Sequence, residues 1–231
     1  MIKTRCIPNC IYRPRLARLC SKFECTLKTK RIHFSGFIFV WLVFLFNNAV
    51  AQYANDSVFN GKIISNIQLQ NVDANKMVSL RSGLNLKPLT LFVFLSPECP
   101  LCQNYSGILN KFYKQYTDDV QMYGIIPGKA YSNKTIKDFK QQYNILFPLL
   151  IDNDKKLVAY LKAAVTPQVI LLDNKNQLVY KGAIDNWLQA LGKQRVHATE
   201  YFLQNALQQS LSNKAVLVKR TKAVGCRIND F

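Results

Sequence analysis

Two cysteines separated by two residues, in the order Cys99, Pro100, Leu101, Cys102, are the residues of this chain best suited to covalent chemistry. They follow an apolar run at 89–95 (LTLFVFL) and the turn Ser96, Pro97, Glu98. They open a stretch to 116 in which Leu101, Tyr105, Ile108, Leu109, Phe112 and Tyr113 return at three- and four-residue steps, the period of a helix. Thiols one turn apart at the start of a helix are close enough to form a disulfide, and the free N–H groups there stabilise a thiolate on the first. Cys99 is therefore expected to be the more exposed and more acidic nucleophile, and Cys102, one turn in, to resolve the mixed disulfide. The carboxylate of Glu98 would oppose this by raising the Cys99 pKa. Without chemistry, the same pair reads as a structural disulfide.

Val165, Thr166 and Pro167 stand directly before another strand-like run, 169–172. A cis proline there would turn the Thr166 carbonyl and its neighbouring backbone toward the cysteines as a recognition edge, whereas the plain alternative is a proline marking the start of a strand. A third thiol, Cys226, lies near the end of the chain. It either returns to the cysteine pair as a third redox thiol or is a free or buried cysteine on a loosely held terminus. His197 reads as a surface or packing histidine, Asp185 as a turn residue, and Trp187 as packing over a hairpin.

These residues need a scaffold. Continuous apolar runs at 89–95 and 120–126 read as strands covered on both faces, and shorter runs at 147–151, 169–172 and 178–181 supply further strands, the last two forming a hairpin. Helical patterns at 99–116, 135–143, 155–163 and 199–211 alternate with them, Thr199 being the expected cap of the last. The region 52–86 alternates loosely, as a short hairpin extending a larger sheet. This is an α/β chain with a mixed central sheet flanked by helices.

Of the 231 residues, 49% are hydrophobic, enough for a true core, and the net charge of +18 divides along the chain. The first 31 residues hold nine bases and one acid, for +8, and the rest carries +10. The segment 34–46 (FSGFIFVWLVFLF) is free of charge; at thirteen residues it is short for a bilayer-spanning helix but suits a secretory signal. Ala49 and Ala51 then give an A-x-A site, with cleavage after Ala51, unless the segment is retained as an inner-membrane anchor. Cys6, Cys10, Cys20 and Cys25 lie in this leader, and their spacing lacks the compact pairs and histidines of a zinc site. The expected organisation is a leader over 1–51, a strand extension over 52–86, the main domain over 87–212, and a tail over 213–231 containing Cys226. Without an aromatic-interleaved basic strip, nucleic-acid binding is not expected.

The strand, the Cys99-Pro100-Leu101-Cys102 motif opening a helix, Thr166-Pro167 before a strand, and the hairpin ending Tyr180-Lys181-Gly182 together resemble the thioredoxin-like thiol-disulfide oxidoreductases over 85–212. The resemblance implies a thioredoxin-like fold and a cis Pro167 packed against the dithiol. Two positions depart from it. Val93 stands where related reductases carry a buried acid, and Glu98 where they carry an aromatic. The residues Gly182 to Asn186, Gly192-Lys193, Arg195, His197 and Lys222-Ala223-Val224-Gly225-Cys226 further resemble exported bacterial redoxin-domain proteins. That resemblance implies a periplasmic or other extracytoplasmic location.

The function expected is thiol-disulfide exchange, without cofactor or metal, on a disulfide-containing protein or thiol substrate with a separate redox partner. Two alternatives remain. A peroxiredoxin-like peroxidase would use Ser96, three positions before Cys99, but has no assignable arginine, and Phe92 replaces the usual proline. A thiolate copper-binding module would draw on His197, the sole histidine outside the leader.

Overall fold

All six side chains of the strand Leu89–Phe94 are buried, because alternate residues enter two separate cores. Leu91 and Val93 pack with one cluster, Phe92 and Phe94 with the other. The computed structural model describes residues 58–80 and 86–228. The leader, its four cysteines, the apolar segment 34–46 and the Ala49/Ala51 site lie outside the described residues.

In chain order the elements are α1 (Gly61–Asn66), β1 (Gln68–Asn71), β2 (Lys76–Ser79), β3 (Leu89–Phe94), α2 (Pro100–Gln115), β4 (Val120–Pro127), α3 (Asn133–Gln142), β5 (Leu149–Asp152) and α4 (Lys156–Leu161). There follow β6 (Val165–Thr166), β7 (Gln168–Asp173), β8 (Leu178–Gly182), β9 (Leu188–Ala190), β10 (Lys193–Gln194), α5 (Phe202–Leu211) and β11 (Cys226–Arg227). Seven strands form one mixed sheet in the order β2-β1-β5-β4-β3-β7-β8. β3, β4 and β5 run parallel, while β7 returns antiparallel to β3. The hairpin of β1 and β2 extends the β5 edge. Helices α2, α3 and α5 cover one face through residues such as Leu109, Phe139 and Leu207, and α1 and α4 cover the other through Ile64, Leu157 and Leu161.

Two local expectations change. Residues 61–66 form a helical turn capped by Asn60, whose side chain accepts from the Lys62 N–H at 3.0 Å, ahead of the expected hairpin. The last helix begins at Phe202 rather than Thr199 and has no side-chain cap. The Thr199 hydroxyl instead accepts from the Asn186 amide at 2.8 Å, tying the start of the helix to the turn beyond β8.

Residues 219–228 are held by backbone pairing, so Cys226 does not lie on a loose segment. Lys181 in β8 donates its N–H to Lys219 O and accepts from Thr221 N, both at 3.0 Å. The tail then crosses to β6, where Cys226 pairs with Thr166 and Arg227 with Val165, and Ile228 N donates to Ala164 O at 3.0 Å. Two glycines permit the approach. A Cβ at Gly182 would lie 2.1 Å from the Thr221 hydroxyl oxygen, and one at Gly225 would lie 2.2 Å from Thr166 O.

Candidate active site

Helix α2 starts where its sequence allows least ambiguity. Cys99 is the N-cap in an extended conformation, and Pro100 occupies the first turn, where a missing N–H costs nothing. Cys99 N donates to Ser96 O at 3.2 Å, and the Gln103 amide donates to Pro97 O at 2.9 Å, so the turn after β3 is fastened to the first turn of the helix. Cys102 faces inward beneath it. Its sulfur accepts from Ser96 N at 3.4 Å, and its carbonyl accepts from the Ser106 hydroxyl at 2.9 Å.

From the other side comes the Thr166–Pro167 peptide, which is cis. Thr166 O lies 3.3 Å from the Cys99 sulfur, positioned to accept its S–H when the thiol is protonated. Cys226 completes the group: its sulfur stands 2.8 Å from that of Cys99 and donates to it. All five residues singled out for the site, Cys99, Cys102, Thr166, Pro167 and Cys226, therefore meet at one end of the sheet. The three cysteines are free thiols.

Cys99 is the more exposed of the pair, as expected, though by a narrow margin. Cys99 is only 2% exposed and Cys102 is fully enclosed, because β6 and the tail cover the start of α2, while Cys226 is half-buried. The acidity of Cys99 has physical support even so. The hydrogen bond from Cys102 is the main cause, opposed by burial and reinforced by Cys226 and the backbone N–H groups of Cys102 and Leu101, and together they hold Cys99 down to about 5. Burial, then the neighbouring Cys99 thiolate, pushes Cys102 well above its ordinary range and Cys226 up to about 11. The site thus holds one thiolate between two thiols. Glu98 is exposed and is not among the groups that move Cys99.

In front of Cys99 opens a cavity of about 840 Å³ whose wall includes Ser96, Tyr131, Lys129, Thr166, Cys226 and Arg227. Ser96 and Tyr131 share a hydroxyl hydrogen bond of 2.8 Å. Sequence reasoning missed Tyr131 and Arg227. Tyr131 sits in a loop with no periodic signal, and Arg227 reaches the cavity only because the tail folds back. Two other side chains prove structural. Buried Asp185 accepts from the Tyr105 hydroxyl at 2.6 Å and from Trp187 N at 2.9 Å, and Trp187 packs edge-on against Tyr105 in α2, 5.8 Å between ring centres. His197 is exposed between β10 and α5, away from the cavity wall. Among the described residues no cluster of three or more His, Cys, Asp or Glu side chains is arranged to hold a metal ion.

Comparison with solved structures shows the same fold in a hypothetical protein from Sinorhizobium meliloti 1021, at 24% identity and a TM-score of 0.61, covering 70% of this chain and 88% of that one. An uncharacterized conserved protein from Geobacillus kaustophilus gives 22% identity and a TM-score of 0.62, covering 71% of this chain and 88% of its own. A secreted Mycobacterium tuberculosis disulfide oxidoreductase homologous to E. coli DsbE is a more distant likeness, with 14% identity and a TM-score of 0.48 over 67% of this chain and 99% of that one. No curated protein matches the chain. The fold is thioredoxin-like, with its sheet flanked by helices and extended by the N-terminal hairpin. The AhpC/TSA family model matches residues 60–181, which take in Cys99, Cys102, Thr166 and Pro167 and stop short of Cys226, and the chain belongs to the AhpC/TSA family.

Proposed function

We propose that this chain is an extracytoplasmic thiol-disulfide oxidoreductase that uses Cys99 and Cys102. The observation that carries this reading is the Cys99 sulfur at the head of α2, on the cavity wall, with Cys102 one turn behind it and the Thr166 carbonyl 3.3 Å away. A substrate disulfide entering the cavity is attacked by the Cys99 thiolate; one substrate sulfur leaves as thiolate and the other remains in a mixed disulfide. Cys99 has then lost its negative charge; burial, the larger cause of the raised Cys102 pKa, remains, but the contribution of the neighbouring thiolate is gone. Cys102 gives its proton to the departing substrate sulfur and attacks the Cys99 sulfur, leaving a Cys99–Cys102 disulfide; the substrate thiolate released first takes its proton from water, so that two substrate thiols result. Two electrons have passed to the substrate. A more oxidising partner drives the same steps backward.

Polypeptide recognition along Val165–Thr166 has to be revised, since that edge is already paired with Cys226–Arg227. The disulfide of a small molecule or of an exposed protein loop is therefore recognised by the cavity wall. An extracytoplasmic location rests on the basic leader, the charge-free 34–46 segment and the alanine pair that follows it. Among the described residues no helix is long and apolar enough to cross a membrane.

The reading is tested by trapping. A chain carrying both Cys102→Ser and Cys226→Ser should accumulate mixed disulfides through Cys99 with partners from a cell-envelope extract. Both changes are needed because Cys226 lies within reach of Cys99. No trapped partner, together with no exchange with oxidised glutathione, sinks the proposal.

One observation favours peroxide as a second substrate: Arg227 supplies on the cavity wall, alongside Ser96, the arginine that the sequence left unassigned. Oxidation of the same double variant to a Cys99 sulfenic acid by stoichiometric hydrogen peroxide, within seconds, supports that reading; hours of resistance remove it.

A further inference from the structure

The buried dithiol raises a problem of recycling. Once Cys99 and Cys102 are joined, a reductant entering by the cavity that admits substrate meets Cys99 only at its 2% exposed edge, with Cys102 fully enclosed behind it. Cys226 is the half-buried sulfur of the three, it lines the cavity, and it lies 2.8 Å from Cys99. Its position is built in. The backbone pairing of Cys226 with Thr166, the Ile228 hydrogen bond to Ala164 and the close approach of Gly225 to Thr166 O fix the tail on both sides of the thiol.

Resting on the exchange reading above, we propose that Cys226 takes the disulfide over from Cys102, so that oxidation leaves the site through a Cys99–Cys226 disulfide whose outer sulfur an external thiol reductant attacks. In the first step the Cys226 thiol gives up its proton and its sulfur attacks Cys99. The Cys99–Cys102 bond breaks, and Cys102 leaves as a thiolate that takes up a proton. One disulfide replaces another and no electrons enter or leave. In the second step a thiolate of the reductant, a dithiol protein or a low-molecular-weight thiol, attacks Cys226 and expels Cys99 as a thiolate. A second thiol of the reductant then releases Cys226, and the reductant departs as its own disulfide, having supplied two electrons and the proton Cys226 regains.

The chemistry favours attack on the outer sulfur. In the second step the leaving sulfur is Cys99, the acidic thiol of the set, and the sulfur with the lower pKa leaves faster; the first step expels the poorer leaving group, Cys102, and rests on the 2.8 Å approach of Cys226 to Cys99. Cys226 also lies beyond residues 60–181, so this exit is added to the part of the chain that the family model describes.

Disulfide mapping tests the proposal. Full-length reduced protein is oxidised with one equivalent of oxidised glutathione, quenched in acid, alkylated and digested with trypsin. Cys99 and Cys102 fall together in peptide 82–111 and Cys226 in peptide 223–227. A cross-linked 82–111/223–227 pair, joined through Cys99, supports the proposal. So does a fall of about tenfold or more in re-reduction by dithiothreitol in Cys226→Ser, as expected when the accessible sulfur with the better leaving group is lost. Formation of the Cys99–Cys102 loop with Cys226 fully alkylated, and re-reduction of Cys226→Ser at the wild-type rate, overturns the relay while leaving dithiol exchange intact. Absence of any disulfide at Cys99 overturns both.

Discussion

Replacing Cys226 with alanine tests whether the tail thiol helps to hold Cys99 as a thiolate. The Cys226 S–H donates to the Cys99 sulfur at 2.8 Å, and Cys99 stands near 5 against an ordinary value of 9.0. A hydrogen bond to a charged group is worth about 1.5–3 kcal/mol, which alone would raise the Cys99 midpoint by about one to two pH units. The same change lets water reach the sulfur and relieves part of the desolvation, which acts in the opposite direction. The net expectation is a rise of about one pH unit, with the Cys102 donor and the helix N–H groups keeping Cys99 below its ordinary value. A shift of that size reduces the thiolate fraction at pH 5 about fivefold and at pH 6 about twofold. The assay is the rate of iodoacetamide modification of Cys99 as a function of pH, read from peptide 82–111. Because the substitution uncovers Cys99, the plateau rate rises, and only the midpoint reports the hydrogen bond. Cys226→Ser, which keeps an O–H donor, should shift less. An unchanged or lower midpoint in Cys226→Ala refutes the assignment of the tail thiol as a donor.

Gly225→Ala forces a methyl group against Thr166 O, which belongs to rigid backbone, and should cost about 1–3 kcal/mol by urea denaturation while abolishing the Cys99–Cys226 cross-link. Wild-type stability with the cross-link retained would show that the tail docks differently. Tyr105→Phe removes the 2.6 Å donor to buried Asp185, leaving that carboxylate with the Trp187 N–H, and should lower stability by about 1–3 kcal/mol. No change in the urea midpoint would mean that the pair contributes nothing net. The folded-state pKa of Cys99 lies below its unfolded value, so its stabilisation is complete above about 9 and is lost as pH falls through about 5. Cys102 and Cys226 are raised, so their contributions are full below 9 and decline only at higher pH. The stability difference between reduced wild type and Cys99→Ser should therefore increase from pH 5 to 9, by at most about 1.4 kcal/mol per pH unit, and a flat difference would sink the linkage.

The framework of the fold was legible because its strongest elements carry their own signals. The run 89–95 reads as a doubly covered strand, and the helix after it shows a three- and four-residue period, so β3 and α2 stand within a residue or two of expectation. Proline before β7 was visible for the same reason: it interrupts a recognisable run. The short helix α1 was hidden because 63–66 (IISN) runs directly into 67–70 (IQLQ), whose alternation reads as a strand and absorbs the single helical turn before it. The strands β9 and β10, three and two residues long, are too short for any period to register.

The site was legible as far as residue types go and illegible in its coverage. A cysteine at a helix start reads as exposed when only its own element is considered. What buries Cys99 is a pairing between Thr166 and Cys226, sixty residues apart in the chain and only two residues long. That pairing depends on the missing Cβ of Gly225 and on backbone groups, neither of which leaves a hydrophobic pattern. The consequence is chemical as well as structural. The strand that covers the nucleophile also delivers the third thiol and Arg227 to the cavity wall, so covering Cys99 and adding reactive groups beside it are one event in the fold. A tail anchored beside Gly182 and again beside Gly225 fixes the position of Cys226 from the N-terminal side, and the Ile228 hydrogen bond fixes it from the other. A sulfur held in that way meets Cys99 as part of the domain, and the third thiol therefore belongs to the same rigid chemistry as the pair in α2.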